Sequence, residues 1–202
     1  MAVGVTGGIG SGKTEVCRIF ERLGIAVLSA DLIAKEISNY DPRARQLLVK
    51  LLGSNAYTQE GVLDRAYVAS KVFSSKNVQK KINAIVHPRV QDEIERKLCE
   101  LERNGAGIGM VEAALIYEAG LDKVLDAVIV VDASEDSRIE RVVKRDGTDR
   151  PAVRDRMNAQ MDPAEKLQRA DYIIRNDGTL EELDQKVKFL HSIFQKLSDR
   201  SG

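Results

Sequence analysis

The chain has 202 residues, with Lys and Arg balanced against Asp and Glu at 31 each. That length suits one domain, or a core with an insertion, and the charge balance excludes a global field that would recruit nucleic acid or an anionic membrane. With only Tyr and Phe as aromatics and none beside a basic run, a stacking platform for single-stranded nucleic acid is also excluded.

The first element sets the rest. Val3-Gly-Val-Thr6 reads as a buried strand that ends in a glycine cluster, and Glu15 to Leu23 reads as a helix. Between them Gly7, Gly12, Lys13 and Thr14 meet the pattern G-x-x-x-x-G-K-[ST], a P-loop in its proper context. The glycines let successive N–H groups converge on one concavity, and the helix adds its positive end. Gly8, Ile9, Gly10, Ser11, Gly12, Lys13, Thr14 and Glu15 are therefore the expected ATP-binding run. Lys13 is expected on the β- and γ-phosphates and the Thr14 hydroxyl on a Mg²⁺ ion.

Ile25 to Leu28 reads as a second strand, and a helix opens around Asp31. Ligands of parallel sheets sit beyond the carboxyl ends of strands, so Asp31 is a candidate catalytic carboxylate; capping the helix is the simpler alternative. Residues 41–104 carry helical signals only, at 42–52, 64–73, 76–85 and 88–101. So long an insertion between strands is expected to shape a substrate pocket. His87-Pro88 is expected at a break between two of these helices, as a turn histidine or a hydrogen-bonding partner of substrate.

Residues 107–112 predict the third strand and 127–131 the fourth. Each ends near an acid. Glu112 is preferred over Asp132 to hold a water on Mg²⁺ or activate a nucleophile, because Asp132 reads better as a strand end and cap. In the helix that follows, Arg138, Arg141 and Arg145 share one face. A Gly-Thr-Asp-Arg-Pro break at 147–151 then suggests that 146–162 is a lid able to close over phosphates and expel water. Asp171 to Arg175 is the fifth strand, Asn176-Asp-Gly178 a turn whose amides could meet a base edge, and Thr179 caps a last amphipathic helix. Cys17 and Cys99 lie far apart and without ligand spacing, and are expected reduced and structural. No apolar run nears the roughly 20 residues of a membrane span and no leader precedes the first strand, so the expected place is the cytoplasm.

Seven stretches in this order, GVTGGIGSGKT (4–14), SADLIAKEI (29–37), INAIVHPRV (82–90), EAALIYEAGL (112–121), VIVVDASEDSRIERVVKRD (128–146), RMNAQM (156–161) and ADYIIRNDGTLEEL (170–183), resemble the dephospho-coenzyme A kinase family nearly end to end. The resemblance implies an α/β P-loop NTPase fold of the nucleoside-monophosphate-kinase kind. It would have a five-stranded parallel sheet with helices on both faces, a core of 1–40 and 105–202 with the lid, and a helical CoA insertion at 41–104. The implied reaction is ATP-dependent phosphorylation of the ribose 3′-hydroxyl of dephospho-coenzyme A, by a monomer or weak homo-oligomer. Asp31 matches the proposed general base, Lys13 and Thr14 the phosphate and Mg²⁺ holders, and Arg141 and Arg145 the lid-side arginines near ATP. His87 falls on the acceptor side with Lys35 and Glu112, and Asn176 and Gly178 on the turn near adenine. Ser29, Glu112 and Ala114 stand where the family commonly has Asp, Asp and Pro. Lys35 puts a point charge where arginine, a forked donor, is common. A nucleoside or nucleoside-monophosphate kinase shares the implied core and differs in acceptor. A GTPase would need an Asn/Thr-Lys-x-Asp base reader and a D-x-x-G, where this chain has Glu112-Ala-Ala-Leu115. A nucleotide-binding module without catalysis would bind ATP yet form no acceptor-dependent ADP.

Overall fold

The computed structural model describes residues 1–199, apart from the side chains of residues 73, 74 and 76. In chain order come β1 (Ala2–Thr6), α1 (Lys13–Arg22), β2 (Ala26–Ser29), α2 (Ala30–Tyr40), α3 (Pro42–Leu52), α4 (Arg65–Ser74) and α5 (Lys76–Arg103). They are followed by β3 (Gly109–Glu112), α6 (Ile116–Ala119), β4 (Ala127–Asp132), α7 (Glu135–Asp146), α8 (Arg150–Asn158), α9 (Pro163–Gln168), β5 (Tyr172–Arg175) and α10 (Leu180–Ser198). Two compact units form, one of Met1–Ser29 with the residues from Lys97 onward, the other of Ala30–Arg96.

In the first unit all five strands run parallel in the order β2-β3-β1-β4-β5, the sheet that the sequence predicts. Strands buried on both sides read as continuous apolar runs, and β4 is one. Val3, Val5, Ile129 and Val131 meet Val16, Ile19 and Phe20 of α1 and Leu183, Val187 and Phe194 of α10 in one core. Phe194 is fully buried, edge-on to Tyr172 at 5.1 Å between centroids, and burial of such a ring contributes about 2–3 kcal/mol. Gly4 alternates to the other face, where a Cβ would lie 2.7 Å from the ends of both the Ile116 and Leu125 side chains, which would have to shift to admit it. The start of α10 is fixed by a capping box: Thr179 Oγ1 accepts from Glu182 N–H at 3.2 Å, and Glu182 Oε2 accepts from Thr179 N–H at 3.3 Å.

The register places function. Val5 and Ser29 both pair with Glu112, so the acid ending β3 stands level with the end of the P-loop strand. Asp132 pairs with Arg175 on β5 and its carboxylate is engaged by that guanidinium. It ends a strand, as expected, but does not cap α7; that position belongs to Ser134.

The second unit takes in α2 as well as the residues from 41 onward, because the end of α2 is tied into it. Tyr57 Oη donates to the Ser38 carbonyl at 2.7 Å, Leu63 N–H to Asn39 Oδ1 at 2.8 Å, and the Arg45 guanidinium to the Asn39 carbonyl. Its core gathers Leu48, Leu52 and Ala56 with Tyr67, Val68, Ile82 and Ile85. The break expected at His87-Pro88 does not occur: α5 is one helix of 28 residues with Pro88 inside it. A proline there removes a donor and crowds the preceding turn, a cost of about 3 kcal/mol. Arg89 Nη1 donates to the Ile85 carbonyl at 2.7 Å, and Val86, Val90 and Ile94 are buried along the helix, which offsets that cost. Cys17 is buried and free, whereas Cys99, expected as structural, is exposed and free. Among the described residues no helix is long and apolar enough to cross a membrane.

Candidate active site

At the carboxyl end of β1 the chain needs positive φ at Gly7, Gly10 and Gly12 to turn back into α1. The amides of Gly10, Gly12 and Thr14 make no hydrogen bond among the described residues, and they stand at the positive end of α1. Such a cradle takes phosphate oxygens. Lys13 Nζ donates to the carbonyls of Gly7 at 2.8 Å and Gly8 at 3.3 Å, which holds the ammonium over the loop. A cleft of about 160 Å³ is lined by Gly10, Gly12, Lys13, Thr14, Arg141 and Arg145. Beside it Thr14 Oγ1 donates to Glu112 Oε1 at 3.0 Å. A hydroxyl and a carboxylate, both hard oxygens, are the donor set with which Mg²⁺ is held when phosphates and waters fill its other positions. The residues present therefore fit that ion. Glu112, expected on the metal or on substrate, is here the partner of Thr14.

Not every expected amide is open. Ile9 N–H donates to Gln160 Oε1 at 2.9 Å, Ser11 N–H to the Gly8 carbonyl at 3.1 Å, and Glu15 N–H to the Gly12 carbonyl at 3.0 Å. The Glu15 carboxylate meets Arg18 at 3.3 Å.

Arg141 acts on the loop as well as lining the cleft. Its Nη1 lies 3.4 Å from the carbonyls of Gly10 and Ser11, and its Nη2 donates to the Asn176 carbonyl at 2.7 Å. Arg145 is engaged by Asp146, with Nε to Oδ1 at 2.6 Å, and Arg156 reaches the same carboxylate at 2.8 Å. The two guanidinium groups hold the Asp146 carboxyl well below the usual carboxylate range. Asn176 is buried, and its Nδ2 donates to the Ser11 carbonyl at 2.8 Å, so its side chain braces the P-loop. A Cβ at Gly12 would run into that amide. Gly178 likewise has a structural reason, since a side chain there would collide with the Glu182 carboxylate of the capping box.

In the helical unit Asp31 sits in the first turn of α2, exposed, with no hydrogen bond or ion pair among the described residues. It lines a cavity of about 210 Å³ with Lys35, Ser38, Asn39 and Arg65. Arg65, which sequence reasoning missed, opens α4 just after the capping Asp64. His87 lies outside that cavity, half-buried in α5; burial pulls its imidazole below the ordinary value.

The segment 146–162 packs on α7 through Val153, which joins Ile139 and Val142 in a small core with Ile9 at its edge. Its cations are paired: Arg150 with Asp136 at 2.6 Å and Arg154 with Glu135 at 3.3 Å. Two more residues belong to this neighbourhood and were not singled out by sequence. Gln160 takes a P-loop amide, and Lys166, 2% exposed, donates to the Ala114 carbonyl and pairs with Glu118, both at 2.9 Å. The motif RMNAQM contains Gln160, but only the fold shows that its amide reaches Ile9.

The whole pattern has relatives. The family model for dephospho-CoA kinase matches residues 1–182. The dephospho-CoA kinase of Chlorobaculum tepidum is 40% identical over 98% of this chain and 95% of its own, and that of Geobacter sulfurreducens 38% over 92% and 94%. Among solved structures, TT1252 from Thermus thermophilus superposes with a TM-score of 0.81 at 32% identity, over 95% of this chain and 96% of that one. The dephospho-CoA kinase from Campylobacter jejuni gives 0.73 at 27% over 100% and 98%. Shikimate kinase from Bacteroides thetaiotaomicron, with a TM-score of 0.56 at 12% identity, shares the fold alone.

Proposed function

The chain belongs to the dephospho-CoA kinase family, whose phosphotransfer from ATP is the final step of coenzyme A biosynthesis, and on that premise we propose how its residues divide the work of phosphorylating the ribose 3′-hydroxyl of dephospho-coenzyme A. The observation that carries this reading is the P-loop with its Thr14 hydroxyl on the Glu112 carboxylate, a phosphate cradle with a metal-ready pair of oxygens beside it.

Transfer of the γ-phosphoryl group passes through a loose transition state, so the protein mainly positions groups and neutralises charge. The open amides of Gly10, Gly12 and Thr14 and the Lys13 ammonium hold the triphosphate, with Arg141 and Arg145 adding positive charge along the cleft. Thr14 and Glu112, the latter directly or through a water, would hold Mg²⁺, which when bound supplies charge neutralisation between the β- and γ-phosphates. Asp31 orients the acceptor hydroxyl and takes its proton late. Lys35 and Arg65, which share its cavity, meet the acceptor's phosphates as a point charge and a fork. The helices of 41–104 shape the acceptor pocket, His87 among them, and 146–162 closes over the phosphates as a lid that excludes water.

The test is an acceptor panel read as ADP release, with the site of phosphorylation read by mass spectrometry and NMR. Dephospho-coenzyme A is expected to turn over at least a hundredfold faster, in kcat/KM, than adenosine or AMP. Faster turnover of AMP or a nucleoside would move the chain to the nucleoside-monophosphate or nucleoside kinases.

A further inference from the structure

Gly8 is a wall of a second cavity, of about 180 Å³, which takes no part in the phosphate and acceptor binding just described. It is roomy enough for about six waters at bulk density. Arg138, Arg154 and Lys166 line it with Met157, Met161 and Pro163, three cations against one acid of the lining, Glu135. Arg138 is 5% exposed. Among the described residues its guanidinium makes one hydrogen bond, from Nε to the Ile9 carbonyl at 3.0 Å, and its four Nη protons have no acceptor. The head lies flat on the Gly8 α-carbon, where any Cβ would collide with Nη2 and the central carbon.

A guanidinium stays charged at any ordinary pH, and Nη donors that face an open cavity can take water or, with more charge compensation, an anion. The acids nearby are already engaged: Glu135 by Arg154 at 3.3 Å, Asp132 by Arg175, and Glu118 by Lys166 at 2.9 Å. Lys166 uses two of its three protons, on the Ala114 carbonyl and Glu118. The cavity therefore has more cations than acids and room for an anion beside Gly8, whose carbonyl Lys13 contacts from the loop.

We propose that Arg138 is a phosphate-binding residue, which takes non-bridging oxygens of the terminal phosphate of the bound nucleoside triphosphate, with Lys166 holding the far wall of that pocket. The choice of phosphate follows from order along the loop. Gly10, Gly12 and Thr14 line the cleft with Arg141 and Arg145, whereas this cavity opens at Gly8, nearer the start of the loop, where only the outermost phosphate of the chain would reach. Planar guanidinium binds two such oxygens at once. The assignment rests on the P-loop reading of ATP binding and is independent of the acceptor.

Calorimetric titration of the full chain with ATP and with ADP, for wild type, Arg138→Gln and Arg138→Lys, tests it. Glutamine can still donate to the Ile9 carbonyl but carries no charge and no fork. The preference for ATP over ADP is expected to fall at least tenfold in the Gln variant and by a smaller factor in the Lys variant, with the ADP affinity of both within about twofold of wild type. An unchanged preference, or equal losses for both nucleotides, would overturn the proposal. Should the Gln variant no longer bind ADP, the Lys variant decides: a threefold drop in preference supports the assignment and no drop overturns it. These titrations contain no acceptor, so failure of the dephospho-coenzyme A reading would show only in the wild-type acceptor panel.

Discussion

The P-loop at residues 7–14 and the cavity beside Asp31 are both polar regions, built in opposite ways. The loop is made of backbone: positive-φ glycines, open amides and carbonyls braced by Lys13, Arg141 and the buried Asn176, all in the sheet unit. The cavity in the helical unit is made of side chains, Asp31, Lys35 and Arg65, carried on helices that would fold as well without them. A site made of backbone shares its energetics with the fold, and one made of projecting side chains does not. Damage to the first should cost binding and, at its braces, stability; damage to the second should cost chemistry alone.

The sharpest test removes Lys13, which carries charge on the backbone-built side without being part of the core. Lys13→Ala should lower kcat/KM for ATP by about a thousandfold or more, roughly 4 kcal/mol of barrier, in steady-state assays of ADP formation. Turnover near wild type would take Lys13 out of the site. On the other side of the comparison, Asp31→Asn should lower kcat at least about a hundredfold while the KM for ATP stays within about twofold and the thermal midpoint does not move. A large shift in that midpoint would mean that the acid serves the helix and not the reaction. Glu112→Gln, at the end of β3, should keep the Thr14 contact but raise the Mg²⁺ concentration for half-maximal rate by about tenfold, as for a group that helps to hold a metal.

Asn176 is where the two behaviours separate most clearly. Asn176→Ala takes from the Ser11 carbonyl its shorter hydrogen bond and leaves it only the long one from Arg141, a loss of about 1–3 kcal/mol, or about 2–12 °C in melting temperature for a chain of this size. ATP affinity should fall with it. A variant that melts like wild type and still binds ATP normally would show that the loop stands without its brace.

The same contrast explains which features are legible in the sequence. A loop built of backbone leaves a local signature, and the glycine spacing with Lys13 and Thr14 is enough to predict a turn of positive-φ glycines into α1; apolar runs between turn signals likewise mark the five strands, whose parallel sheet is what the family resemblance implies. The companion residues leave none, because each acts across a long stretch of chain. Gln160 reaches Ile9 over 151 positions, Lys166 reaches Ala114 over 52, and Asn176 reaches Ser11 over 165. Arg65 escapes for a related reason: a single arginine after a capping aspartate looks like any solvated helix start. Pro88 misleads in the other direction. The local rule that a proline ends a helix is overridden by burial of Val86, Val90 and Ile94 along an otherwise continuous α5.

The smallest expected effect concerns His87, one turn of α5 from those apolar contacts. Burial lowers its folded-state pKa, so the folded chain prefers the neutral ring. The unfolded chain takes up a proton near the ordinary value of about 6.5, and below that pH it binds more protons than the folded one. Stability from this residue is therefore full above about pH 6.5 and declines as the pH falls through the lowered folded value. Because the ring is only half-buried, solvent screening should keep the contribution well under about 1 kcal/mol. Urea unfolding of wild type and His87→Gln between about pH 7.5 and 5 reads it. The difference between the two curves should narrow toward acid, since glutamine has no proton to gain. A difference that widened would mean that the charged ring is the one the fold favours, placing an anion within its reach and making His87 part of a binding surface instead of a packed helix face.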